Sequence, residues 1–295
     1  MLEGFRPFRL EGRGVAISGR MAGEGPPLLL LHGYPQTHLV WRKVAPALAR
    51  DFTVVLTDLR GYGDSGRPKD GDYSKRAMAD DQVAVMRGLG FPRFFVAGHD
   101  RGGRVAHRMA LDHPDAVARL AVLDIAPTLH MYRATDRAFA TAYYHWFLLI
   151  QPFDLPERLI GADPEYFLRW TLAAWCKTEG AIEEEAVAAY LRGFRDPAVI
   201  HATCEDYRAS AGVDLVHDEA DLGRRLDQPL LALWGEKATP GRLYDMIAVW
   251  RERAAQVDGR PLPCGHFLPE EAPAETLAAL QSFFPIAPDG ELPHV

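Results

Sequence analysis

The sequence predicts an α/β fold built on a mostly parallel, eight-stranded sheet flanked by helices, and three observations carry that prediction. Short apolar runs alternate with helical patterns through residues 1–125, the arrangement that parallel strands with helical crossovers require. Two further strand patterns appear only after residue 228. The stretch between, 126–226, has no convincing β run and is rich in aromatic and helical patterns.

Taken in order, FRLEGRGVAISGRM predicts a hairpin that adds antiparallel strands to one sheet edge. Strands follow at Leu28 to His32, in FTVVLTD ending at Asp58, in FFVAGHD ending at Asp100 and in RLAVLDI ending at Ile125. Ser74 caps a helix through Leu89 that Gly90 terminates. AFATAYYHWFLL and EEEAVAAYLRGF mark 126–226 as a helical cap inserted into a core domain made of 1–125 and 227–295. PLLALWG supplies a strand at Pro229 to Gly235, an amphipathic helix is expected around Leu243 to Ala254, and the last strand lies near Gln256 to Leu262.

Composition narrows the function classes. With 48% hydrophobic and 25% charged residues the chain is a globular protein able to bury a large core. A formal charge of -7 offers no attraction to phosphate backbones or anionic lipid, so no nucleic-acid or membrane partner is expected. No apolar run approaches the roughly 20 residues of a membrane-spanning helix, and the N-terminus lacks the apolar stretch of a secretory signal, which predicts a cytoplasmic protein. Cys176, Cys204 and Cys264 are far apart and odd in number, the pattern of reduced structural cysteines rather than a disulfide framework or zinc site.

In open α/β sheets ligands bind beyond the carboxyl ends of the strands. Gly98-His99-Asp100-Arg101-Gly102 closes one strand and opens the helix GGRVAHRMAL, with small residues flanking an acidic one on a sharp turn. This is the nucleophile elbow of the α/β-hydrolase fold, with Asp where lipases and esterases hold Ser. None of the five serines lies in a G-x-S-x-G context, so the Asp100 carboxylate is the candidate nucleophile. A carboxylate that displaces a leaving group from saturated carbon forms an ester that water can hydrolyse, whereas serine would form an inert ether. Epoxides and carbon–halogen bonds are the substrates that suit it. The plainer alternative is that Asp100 merely caps the following helix.

His266 follows the last strand, in the chain order nucleophile, acid, histidine of this fold, and is the candidate base. Its orienting acid is Asp124 or Glu236; Asp124 is favoured as the strand-end carboxylate nearer in order to the elbow. His32-Gly33-Tyr34-Pro35 follows the LLLL strand, which makes the amides of Tyr34 and Arg101 the expected oxyanion hole, against the reading of a plain Gly-Pro turn. Gly61 to Gly66 formally matches a dinucleotide fingerprint, but the residues after it cannot open a helix and it does not follow the first strand. It is expected to be a loop beside the active site.

The segments HGYPQTH, GHDRGGRV, AVLDIAPT, YHW, CEDYRA and GHFLPEEAP resemble, in the same order and at similar spacing, those of the haloacetate dehalogenases. The resemblance spans nearly the whole chain. It implies hydrolysis of a short 2-haloacid such as fluoroacetate to glycolate and halide through an Asp ester, without metal or organic cofactor, by a homodimer. Position by position it implies Asp100 as nucleophile, His266 as base and Asp124 as acid. Arg101 and Arg104 become the clamp for the substrate carboxylate, His145, Trp146 and Tyr207 the halide pocket, and Trp175 a residue lining the site. Gly103, a second glycine beside Gly102, is the visible departure.

Physical chemistry is consistent with that assignment. Two guanidiniums beside the elbow offset the repulsion between a haloacetate anion and Asp100, and N–H and O–H donors lower the barrier for a poor leaving group such as fluoride. The bland alternatives are a solvated arginine face and an aromatic cap core. The main rival activity is epoxide hydrolysis by the same Asp, His and acid with two cap tyrosines drawn from Tyr143, Tyr144, Tyr190 and Tyr207, although a neutral epoxide has no use for two arginines. A rival from another class is a catalytically silent binding module, which need not retain all three catalytic groups.

Overall fold

A computed structural model describes residues 1–286; the expected core segment's last nine positions, 287–295, lie outside the described residues. Eight strands form one sheet in the order β1-β2-β4-β3-β5-β6-β7-β8, with β1 at Arg6–Glu11, β2 at Ala16–Ala22, β3 at Pro27–Leu31, β4 at Thr53–Thr57, β5 at Phe94–His99, β6 at Val117–Leu123, β7 at Leu230–Gly235 and β8 at Val257–Leu262. The hairpin forms as expected. β1 and β2 pair antiparallel from Arg6 with Met21 to Glu11 with Ala16, and β2 pairs antiparallel with β4, while every remaining pair is parallel.

The central strands read as continuous apolar runs because both faces are covered. Alternation of period two then divides them. Leu29, Leu31, Val55 and Val96 join one core, and Leu28, Leu30, Val54 and Phe95 join the core on the opposite face. The first of these cores runs on into Trp146, Tyr190 and Tyr207, so side chains from the helical stretch finish the packing of the sheet's own face.

Between Leu123 and Leu230 the chain forms eight helices, from Thr128–Arg133 to Val213–Ala220. The helix after β4 runs Lys75–Gly88; the Ser74 hydroxyl accepts from the Ala77 amide at 3.2 Å, and Gly90 turns the chain away at φ +90°. One expected helix is corrected. Instead of a continuous Leu243 to Ala254 there is a short turn of helix at Pro240–Leu243 and a helix at Met246–Arg251, because the Asp245 carboxylate accepts from the Ala248 amide and starts a new helix inside the amphipathic pattern. Among the described residues no helix is long and apolar enough to cross a membrane, and the three cysteines are free.

Candidate active site

Four strand ends converge around Asp100. β3 delivers Gly33 and Tyr34, β5 delivers Asp100, β6 delivers Asp124, and the loop after β8 delivers His266. Asp100 and Asp124 are the non-glycine residues with positive φ among those described, at +49° and +55°. Such backbone costs on the order of 1–3 kcal/mol each and is held only where the surroundings over-determine it. At the elbow those surroundings are backbone: a Cβ on Gly98 would lie 2.3 Å from the Gly102 carbonyl, and one on Gly102 would lie 2.4 Å from that of His32. The Asp100 side chain does not cap the helix Arg101–Asp112. Its Oδ1 instead accepts from the Tyr34 amide at 2.8 Å, and a Cβ on Gly33 would sit 2.3 Å from the Asp100 Cβ.

Asp124 Oδ2 lies 2.7 Å from His266 Nδ1, and its Oδ1 accepts from the Gly235 amide at 3.0 Å. Glu236 is exposed, so between the two candidate acids only Asp124 meets the histidine. Nδ1 therefore carries the proton donated to Asp124, leaving the buried Nε2 without a partner and free to accept one. Burial lowers the His266 pKa, but the hydrogen bond and charge of Asp124, followed by the charge of Asp100, outweigh it and hold the imidazole above its ordinary value. For Asp100 burial acts upward, and His266 foremost, with Arg101 behind it, keeps the carboxyl below its ordinary range and so ionised.

Arg101 and Arg104 are both buried, which overturns the solvated-face alternative. Arg101 Nε and Nη2 donate to the two Asp206 oxygens at 3.0 and 2.6 Å, and the guanidinium carbon stands 4.1 Å over the Tyr207 ring. Arg104 Nη1 donates to the Ala126 carbonyl at 2.9 Å and the Thr128 hydroxyl at 3.0 Å, with its guanidinium 4.7 Å over Trp146. His145 lies with its ring centroid 4.5 Å from Trp175 and 5.8 Å from Tyr207, and Trp175 is 5.3 Å from His266. The structure thus brings His145, Tyr207 and Trp175 together around Asp100 and His266, while Trp146 lies beneath Arg104; His145 and Trp175 line the cavity described below, and Arg101, Arg104, Trp146 and Tyr207 do not.

Several buried polar atoms here have no protein partner: Arg101 Nη1, Arg104 Nε, His145 Nδ1, Tyr207 Oη and His266 Nε2. Unsatisfied buried groups are costly unless a ligand or water completes them, so their convergence marks a polar binding site. Burial pushes His145 down to about 3, which leaves it a neutral imidazole able to donate. A cavity of about 210 Å³ opens from Asp100 and His266 past Tyr143, Tyr144 and Trp175 to a mouth carrying exposed Lys177, Lys237 and Arg242.

Sequence reading missed what holds Arg101. Asp206 sits on the helix Pro197–Ala211 and also accepts from Lys75 Nζ and, at 2.7 Å, from the Tyr62 hydroxyl. Tyr62 lies in the loop Gly61 to Gly66, so that loop borders the site through its tyrosine, and the next helix starts only at Lys75. The signal was present in CEDYRA, where an acid directly precedes Tyr207. His99 was also missed; its buried Nε2 contacts the His266 carbonyl at 2.8 Å and fixes the loop that carries the imidazole.

Residues 26–273 match the alpha/beta hydrolase fold family. The chain is 46% identical to fluoroacetate dehalogenase of Burkholderia sp over 98% of its own length and 97% of that protein's. It is 38% identical to soluble epoxide hydrolase of Corynebacterium sp. (strain C12), over 89% and 91% of the two chains. A crystal structure of a putative alpha/beta hydrolase from Nostoc sp PCC 7120 superposes with a TM-score of 0.94 at 60% identity, over 96% of this chain and 99% of that one. An acid-bearing elbow, an Asp–His pair at the following strand ends and agreement along nearly the full length leave one conclusion: the chain belongs to the α/β-hydrolase family and is a hydrolase.

Proposed function

We propose that the protein hydrolyses the carbon–halogen bond of a short 2-haloacid, converting a haloacetate to glycolate and halide. The observation that carries this reading is the pair of buried guanidiniums at 101 and 104, each with an unpartnered nitrogen beside an anionic Asp100. A neutral epoxide gives such a pair nothing to bind, whereas a carboxylate does. The 46% identity to fluoroacetate dehalogenase supports the same reading.

The geometry supports the following steps. Asp100 Oδ1 is held by the Tyr34 amide, so Oδ2 is the attacking oxygen; it displaces halide from the α-carbon as Arg101 Nη1 and Arg104 Nε hold the carboxylate. His145 and Tyr207 receive the departing halide, while Trp146 supports the Arg104 guanidinium from beneath. Oδ1 becomes the ester carbonyl oxygen, and water activated by His266 Nε2 attacks the Asp100 carboxyl carbon. The oxyanion then forms on the atom already facing the Tyr34 amide, with the Arg101 amide at the helix start as second donor. Esterification also removes the Asp100 charge, one cause of the raised His266 pKa, just when a neutral imidazole is required.

We further propose that 126–226 acts as a cap over a core of 1–125 and 227–295, since His145 and Tyr207 from the helical stretch reach the elbow. A homodimer is proposed too, supported by Phe153, Leu155 and Leu159, which expose 71%, 50% and 57% of their surface on adjoining helical segments; light scattering on the purified protein tests it. The cytoplasmic location is tested by cell fractionation.

Epoxide hydrolysis is the second reading, favoured by the buried, unpartnered Tyr207 hydroxyl and the 38% identity to an epoxide hydrolase. Tyr190 drops out of it, because its hydroxyl donates to Glu270 at 2.6 Å. The deciding experiment follows fluoride and chloride release from fluoroacetate and chloroacetate with ion-selective electrodes, with styrene oxide in parallel. Halide release that Asp100→Asn abolishes is expected; diol without halide would move the assignment to epoxide hydrolase.

A further inference from the structure

A guanidinium has five N–H donors. In Arg101 three are committed: Nε to Asp206 Oδ2 at 3.0 Å, and Nη2 to Asp206 Oδ1 at 2.6 Å, the Asp206 carbonyl at 3.0 Å and the Ser210 hydroxyl. The remaining two sit on Nη1, which is buried and without a partner. Asp206 cannot swing away, since Lys75 Nζ and the Tyr62 hydroxyl hold the same two oxygens. Lys75 is fixed in turn by Asp214, whose carboxylate accepts from the Lys75 amide at 2.9 Å and lies 3.5 Å from Nζ. Asp206, Asp214, Lys75 and Arg101 form a buried network with two charges of each sign.

We propose that Asp206 is the positioning residue for carboxylate recognition: it presents only the Nη1 edge of Arg101 to the substrate, and selectivity for a carboxylate over a neutral isostere depends on it. This rests on the haloacid reading of the site. Asp100 is an ionised carboxylate one residue from Arg101, and a planar fork pairs best with a carboxylate in bidentate fashion. Without Asp206 the guanidinium is free to turn, and its Nη1 edge is no longer aimed at the substrate carboxylate. With Asp206 in place the fork is already taken by an acid on a different helix. Asp206 therefore aims the clamp. It lies on Pro197–Ala211, whereas Arg101 and Lys75 head helices packed on the sheet, so seating that helix and aiming the guanidinium are one event.

The test compares Asp206→Asn with wild type on chloroacetate and on its neutral isostere chloroacetamide, with glycolate inhibition as a binding readout. A hydrogen bond to a charged group sets the scale, so KM for chloroacetate and the glycolate inhibition constant should rise by about 10- to 100-fold. Turnover of chloroacetamide should change by less than about twofold on that scale. Because Asp206→Asn leaves the network one negative charge short, the charge-balanced double variant with Lys75→Met is run beside it. A wild-type KM in either folded variant overturns the proposal. Equal loss of both substrates, or failure of both variants to fold, also overturns it, because that outcome marks a structural role alone. Wild-type enzyme that releases no chloride from chloroacetate refutes the haloacid reading instead, and the control reaction shows which of the two has failed.

Discussion

Replacing His266 by glutamine separates the two chemical steps. Displacement of halide by Asp100 requires no base, since the nucleophile is already an anion, whereas hydrolysis of the resulting ester needs the proton acceptor at Nε2. A positioned general base contributes about 10²- to 10⁴-fold, which corresponds to roughly 3–5 kcal/mol of barrier. Glutamine is chosen over alanine because Asp124 is buried and now accepts from His266 Nδ1 at 2.7 Å and the Gly235 amide at 3.0 Å. An amide N–H can keep the first contact, so the carboxylate is not left unpaired. The expected result with chloroacetate is one equivalent of chloride released per site, followed by turnover slowed about 10²- to 10⁴-fold. Mass spectrometry of the trapped protein should find one carboxymethyl ester on the peptide that contains Asp100. Chloride released continuously at the wild-type rate, or arrested turnover without that adduct, would refute the assignment of nucleophile and base.

Other predictions follow from the same charges. With His266 raised above 6.5 by Asp124, kcat should be lost as pH falls through that raised value, since imidazolium cannot take a proton from water. kcat/KM for an irreversible displacement should lack that limb, and a shared limb in pH–rate profiles would contradict the two-step scheme. His99, His107 and His145 are buried neutral, each pushed down to about 3 by burial. Below 6.5 the unfolded chain binds more protons, so stability is present above that pH and falls with pH towards 3, by up to about 2 kcal/mol per histidine at pH 5. Raised His266 acts in the opposite sense and offsets part of it. Urea unfolding at pH 7 and pH 5 measures the balance, and equal stability at the two would count against neutral burial. Exposed Lys177, Lys237 and Arg242 at the cavity mouth should attract an anionic substrate. Lys237→Glu with Arg242→Glu should lower kcat/KM for chloroacetate severalfold at about 0.01 M salt and much less at about 1 M, where the Debye length is roughly 3 Å. The same loss at both would exclude steering.

The central strands were legible because they are buried on both faces, which forces unbroken apolar runs, and because each is closed by glycine or an ionisable residue at the ligand-binding edge. The elbow was legible for a steric reason: Gly98 and Gly102 approach backbone so closely that no other residue fits. The break at Asp245 was not legible, since an aspartate on a polar helix face and an aspartate that caps a new helix read alike until the backbone direction is known. Asp206 was hidden for a related reason. Its partners Tyr62, Lys75 and Arg101 lie 144, 131 and 105 residues away, and no local spacing encodes such a meeting.

That distant network bears on how one core accommodates both haloacid and epoxide chemistry. Asp100, His266 and Asp124 are fixed by strand ends and would serve either reaction, since each begins with carboxylate attack on saturated carbon. What differs is the charge of the substrate and the group that receives charge as the bond breaks. A tyrosine hydroxyl such as Tyr207 Oη can donate to a departing halide or to an epoxide oxygen, so it does not discriminate. An arginine does, but only if it is directed at the substrate. Asp206 and Lys75 are a buried pair whose desolvation cost argues against a purely stabilising role. Their value lies in keeping Arg101 aimed: Asp206 takes its Nε and Nη2 edge, and Lys75 holds Asp206 in place. The role proposed for Asp206 thus assigns substrate choice less to the catalytic groups than to the ion-pair network that holds Arg101.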